Sequence, residues 1–97
     1  MNTIRRTSEF DVWLKGLRDP IAVTKILKRL ERAVGGNFGD VKPVGEGISE
    51  MRIDWGPGYR LYYKRSGNVV YVVLCGGDKS AQQADIEFAK ELARQYV

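Results

Sequence analysis

Residues 48–80 read ISEMRIDWGPGYRLYYKRSGNVVYVVLCGGDKS and decide the fold. Three extended runs are separated by Gly56-Pro57-Gly58 and by a turn around Ser66-Gly67, and they end in Gly-Gly-Asp-Lys-Ser, a turn into a helix. With Gly56–Gly58 as a three-residue hairpin loop, Trp55 is set opposite Tyr59, Ile53 opposite Leu61 and Met51 opposite Tyr63. That is an apolar face. The other face then pairs Asp54 with Arg60, Arg52 with Tyr62 and Glu50 with Lys64, each pair complementary. The third run, Val69 to Cys75, is apolar on both faces, which predicts a central strand covered on each side.

Working back from this stretch, residues 35–47 hold five glycines and Pro43 and read as a loop with a brief extended piece near Val41 to Val44. Before it lie two helical patterns. Phe10, Trp13, Leu14 and Leu17 follow i, i+3, i+4, i+7 spacing, with Ser8 and Asp11 as an N-cap pair. Val23, Ile26, Leu27, Leu30 and Val34 form a second stripe, started by Asp19-Pro20 and stopped by Gly35-Gly36. So short a connection predicts a helical hairpin. Residues 2–6 read as a short edge strand. Working forward, Ser80 and Gln83 open a last helix whose packing stripe is Ala84, Phe88, Leu92 and Tyr96. The expectation is one α+β domain: a small twisted antiparallel sheet, an N-terminal helical hairpin and a C-terminal helix.

The composition narrows the chemistry. The chain has 97 residues, 16 basic against 12 acidic side chains, one cysteine and no histidine. An internal disulfide is impossible, a structural zinc site is excluded by the ligand count, and neither a Ser-His-Asp nor a Cys-His mechanism can operate. Cys75 sits in an apolar run and reads as a small hydrophobe. The opening MNTIRRTSEF has no signal-like apolar stretch and no run reaches transmembrane length, so the expectation is a cytoplasmic protein without membrane, metal or cofactor.

A net charge of +4 suits a nucleic acid or an acidic protein as partner. Arg18, Lys25, Lys28, Arg29 and Arg32 cluster on or near the second helix, either as a solvated face or as a footprint for phosphates. Arg52, Arg60 and Tyr62 share one sheet face: either a cross-strand network, with Asp54 neutralising Arg60, or cations grouped around a scissile phosphate. Lys79 precedes a helix N-terminus, where backbone amides already favour anions. Gly76-Gly77 suits a sharp turn or a close approach to a ligand. Lys42 in the glycine-rich loop and Lys64 on the sheet are further candidates for RNA contact.

With GPGYRLYY, VVLCGGDKS and the two-helix start in view, the chain resembles the RelE/ParE superfamily of bacterial toxins, and within it the small HigB-like addiction module killer branch. The resemblance covers nearly the whole chain. It implies the toxin of a type II toxin-antitoxin module: a metal-independent endoribonuclease that cuts mRNA in the ribosomal A site and is neutralised by a helical, DNA-binding antitoxin. By position, Arg60, Arg52 and Lys79 match the family's basic catalytic residues; Tyr62, Lys42 and Lys64 would contact RNA. Asp54 departs from the pattern, standing where ribonuclease members often have a second basic residue, and is either a base toward the 2′-hydroxyl or the neutraliser of Arg60. Asp85-Ile86 stand where some members place a catalytic tyrosine. The same resemblance allows a non-enzymatic, ParE-like inhibitor of DNA gyrase. An antitoxin would have the basic second helix, the sheet face or apolar positions such as Ile86 to dock on.

Overall fold

A computed structural model describes residues 1–96. The chain runs β1 (Thr3–Arg6), α1 (Ser8–Gly16), α2 (Pro20–Val34), β2 (Val41–Gly45), β3 (Ile48–Ile53), β4 (Tyr59–Arg65), β5 (Val70–Asp78), a 3₁₀ turn (Lys79–Ala81) and α3 (Gln82–Gln95). One five-stranded sheet takes the order β1-β5-β4-β3-β2. The α+β class holds, but the sheet is mixed: β1 lies parallel to β5, with Ile4 opposite Tyr71. The expected N-terminal helical hairpin is also corrected. A strand comes first, α1 lies over β5 and α2 lies beside β1. Among the described residues no helix is long and apolar enough to cross a membrane.

Two clusters of buried side chains occupy the two faces of the sheet. Under α1 and α2, Phe10, Leu14, Ile26 and Leu30 pack on Met51, Ile53, Leu61 and Val73. Under α3, Ile48, Tyr62, Leu74 and Cys75 meet Ile86, Ala89, Leu92 and Ala93. Strand β5 is therefore interior and covered on both sides, as its two-faced apolar run predicts. The brief extended piece after residue 40 is β2, an edge strand.

The β3–β4 register differs from the expected one by two residues. Ile53 faces Tyr59, Arg52 faces Arg60, Met51 faces Leu61, and Glu50 faces Tyr62. The cause is Trp55. Its indole N–H donates to the Asp19 carboxylate at 3.0 Å, and Lys25 stacks on its ring at 4.8 Å. Trp55 is thus drawn out of the ladder toward the start of α2, which lengthens the loop to residues 54–58. A slip of two preserves which face each side chain takes, so the division into faces survives while every partner changes.

The helix caps shift as well. Thr7, not Ser8, caps α1, accepting from the Phe10 N–H at 3.0 Å. Asp19 caps α2 through the Ile21 and Ala22 amides, with Pro20 in the first turn, as expected. No side chain caps α3; instead Asp78 accepts from the Ser80 amide at 2.9 Å and holds the 3₁₀ turn. On α2 the buried residues are Ala22, Ile26, Leu30 and Ala33, and Leu27 points to solvent. On α3 they are Ile86, Ala89, Leu92 and Ala93, whereas Phe88 and Tyr96 are exposed. A stripe stepping every four residues drifts by about 40° per step around a 3.6-residue helix, so its ends leave the buried side.

Candidate active site

Along β3, side chains alternate between the two faces, which puts Glu50 and Arg52 on the α3 side together with Arg60 and Tyr62 of β4. Arg52 and Arg60 are direct cross-strand partners, and Arg60 is in turn opposite Gly77 of β5. The three positions form one row across the sheet. The apolar side chains of α3 cover the neighbouring rows, Glu50–Tyr62–Cys75 and Ile48–Lys64–Val72, whereas the arginine row lies at the N-terminal end of the helix, where Gln82 and Asp85 reach in. The Arg52 side chain keeps 35% of its surface and Arg60 13%.

At the centre is Glu50, fully buried. Its carboxylate accepts from Gln82 Nε2 at 2.7 Å and from the Tyr62 hydroxyl at 3.2 Å. The Nε atoms of Arg52 and Arg60 lie 3.8 and 3.9 Å from it. Arg52 also sits 3.8 Å from the exposed Asp40 carboxylate. Glu50 was expected opposite Lys64; the register sets it opposite Tyr62 and within 4 Å of the two arginines.

Burial, and then the adjacent Glu50, push the Tyr62 phenol far above its ordinary value, so it stays a neutral donor. Tyr62 is wholly buried. It has no surface on which a base can stack, and its expected role as an RNA contact is corrected to that of a support for Glu50.

Gly76 and Gly77 are strand residues without positive φ, so neither makes a sharp turn. Each is glycine because a side chain would find no room. A Cβ on Gly76 would lie 2.4 Å from the Trp13 ring, and one on Gly77 1.9 Å from the Asp85 carboxylate. The Cys-Gly-Gly run is thus explained by packing on two opposite faces. Asp85, over Gly77, has its carboxyl raised by burial and by the nearby Asp78, and its Oδ2 is buried without a hydrogen-bond partner. Cys75, two residues earlier, is pushed up to about 12 by burial, which leaves it an inert thiol.

The remaining candidates divide. Lys79, exposed at the start of the 3₁₀ turn, stands beside the β3–β4 loop: a Cβ on Gly58 would be 3.5 Å from its own Cβ. Lys42, exposed on β2, is the cross-strand partner of Glu50 and so borders the group. Lys64 does not join it. Four residues along β4 from Arg60, it is about 13 Å away, and it lines a hollow with Ala93 and Tyr96 at the other end of α3. Asp54 is also removed from Arg60. It lies in the loop, facing a basic hollow with Lys25, Lys28, Arg29 and Arg32 on the α2 side. It neither neutralises Arg60 nor reaches its row as a base. Of the basic residues of α2, Lys25 is engaged with Trp55, and Arg29 donates to the carbonyl oxygens of Arg52, Phe38 and Asp40, tying down the preceding loop. Ile86 is buried and offers no docking point.

The row suits one kind of chemistry. Two adjacent guanidinium groups offer forks that match the oxygens of a phosphate. No protein-family model matches the chain. The chain is similar to an uncharacterized protein of Haemophilus influenzae, 50% identical over 92 residues, a span covering 95% of this chain and 93% of that one. The chain belongs to that protein's family. A span of that length takes in β3 and β4, which carry the arginine row, and most of α3.

Proposed function

We propose that the chain is the toxin of a type II toxin-antitoxin module, a RelE/ParE-like endoribonuclease that cleaves translated mRNA on the ribosome. The observation that carries the reading is the Arg52–Arg60 pair, set opposite each other on the α3 side of the sheet, with Arg52 the more exposed of the two. Arg60 and Arg52 grip the scissile phosphate, with Lys79 beside the β3–β4 loop. The adjacent 2′-oxygen bonds to phosphorus, the bond from phosphorus to the 5′-oxygen breaks, and a cyclic phosphate and a 5′-hydroxyl result. Water relays the proton from the attacking hydroxyl to the leaving oxygen. The side chains supply charge stabilisation for the phosphorane oxygens, the kind of contribution whose removal costs roughly 100- to 1,000-fold in rate. Lys42 extends the positive surface along the edge strand for the flanking backbone. A helical, DNA-binding antitoxin neutralises the protein in this reading.

Inducible expression in bacteria tests it. Wild-type protein arrests growth; Arg60→Ala, verified as folded by circular dichroism, does not. A folded, fully toxic Arg60→Ala protein removes Arg60 from the mechanism. Arrest with intact mRNA and stalled replication moves the case to a gyrase inhibitor of the ParE kind.

A further inference from the structure

Two like charges directly opposite each other destabilise a strand pair. Arg52 and Arg60 are such a pair, so their position calls for an opposing charge on the same face. Only a carboxylate between them can serve both at once, and Glu50 is placed to do so. It is two residues before Arg52 on β3 and is the cross-strand partner of Tyr62, the second residue after Arg60. A buried carboxylate is costly unless other groups satisfy it. Here Gln82 and Tyr62 hold Oε1 by hydrogen bonds, whereas Oε2 has no hydrogen-bond partner. The Nε atoms of both arginines are also buried and without hydrogen-bond partners, each within 4 Å of this carboxylate.

We infer that Glu50 is the positioning residue of the arginine row: gripped by Gln82 and Tyr62, it draws in the Nε edges of Arg52 and Arg60 and leaves their terminal NH₂ groups aimed at the open end of the sheet. The inference rests on the nuclease reading for its consequence in catalysis, but not for the arrangement itself. Glu50 cannot serve as the base. Its side chain keeps 1% of its surface, and Gln82 and Tyr62 occupy the oxygen that lies nearest to Arg60. Its contribution is geometric. Arg52 has a second carboxylate, the exposed Asp40, at the same 3.8 Å, whereas the ion pair of Arg60 is with Glu50. Helix α3 acquires a role at the site, since Gln82, its first residue, reaches Glu50 across 32 positions of sequence.

The test uses the purified full chain and its Glu50→Gln variant, with two readouts. The first is solvent exchange of the arginine Nε–H signals of Arg52 and Arg60 by nuclear magnetic resonance. The second is cleavage of mRNA on translating ribosomes, with kcat and KM separated. Glu50→Gln keeps the shape and can still meet Gln82 and Tyr62, but carries no charge. The expected result is faster exchange at both Nε–H groups and a fall in kcat of roughly 100-fold, the cost of misplacing a catalytic group by about an ångström. KM stays unchanged or falls, because a negative charge has been taken from a phosphate site. Tyr62→Phe and Gln82→Ala, each removing one grip on Glu50, shift both readouts in the same direction by less, and they stand in for Glu50→Gln where that variant fails to fold. Unchanged Nε–H exchange in folded variants overturns the inference, as does wild-type kcat. If the wild-type protein cuts no RNA, the nuclease reading fails by itself, and the exchange rates alone then decide whether Glu50 positions the arginines.

Discussion

The two faces of the sheet solve different problems with the same strands. Beneath α1 and α2 the face is closed from end to end: Phe10, Leu14, Ile26 and Leu30 meet Met51, Ile53, Leu61 and Val73, and Phe38, Tyr63 and Tyr71 pack ring against ring at 4.7–6.1 Å. Beneath α3 the face is split. Ile48, Tyr62, Leu74 and Cys75 are covered by small and aliphatic helix residues, while one row further along the sheet carries two arginines over a buried glutamate. Two helices on one side hold the fold, and that frees part of the other side to carry charge that contributes little to folding.

Variants on the two faces should therefore behave differently. The largest expected effect on stability belongs to the first face: Phe10→Ala, removing a ring with no exposed surface, costs about 3–5 kcal/mol in a denaturant titration. A loss below 1 kcal/mol would contradict the claim that this face holds the fold together. The adjacent glycines sharpen the comparison further. Gly76→Ala meets the rigid Trp13 ring on the α1 side and costs about 1–3 kcal/mol. Gly77→Ala meets only the short Asp85 side chain on the α3 side, which can swing away, and costs less. The reverse order in thermal melts would place the tighter packing on the wrong face.

The smallest effect is one of pH. Asp85 is held above its ordinary carboxyl value of 3.8 by burial and by Asp78. The folded protein binds that proton more tightly than the unfolded chain, so its stability declines as pH rises through the carboxylate range. Asp85→Asn removes this dependence. It should melt higher than wild type at neutral pH and equally in acid, where Asp85 is protonated in both states. A variant less stable at neutral pH would mean that the ionised carboxylate is favoured by the fold.

The contrast between faces was legible in the sequence; the partners across it were not. Strict alternation in Met51-Arg52-Ile53 and Tyr59-Arg60-Leu61 assigns each side chain to a face, and a two-residue slip leaves that assignment intact. The slip itself arises from Trp55 reaching Asp19, 36 positions away, a contact that no local pattern announces. With the register wrong, Glu50 was matched to Lys64 and its burial was invisible, although its place between Ile48 and Arg52 on one face put a carboxylate next to the cation in plain view. Arg52 and Arg60 share a face in the expected register and in the observed one, so their grouping survives the slip. The places of Tyr62 and Lys64 were not legible because α3 lies over this part of β4, burying Tyr62 and ending beside Lys64. The two glycines of the Cys-Gly-Gly run similarly answer to Trp13 and Asp85, both distant in sequence.

The arginine row is proposed to act on RNA. Primer-extension mapping of a translated reporter mRNA, after brief induction of the wild-type protein and of Arg60→Ala, tests it most directly. New 5′ ends at in-frame codon positions are expected with the wild-type protein and none with the variant. Growth arrest with an uncut reporter would contradict it and leave Arg52 and Arg60 as a binding surface for something other than a scissile phosphate.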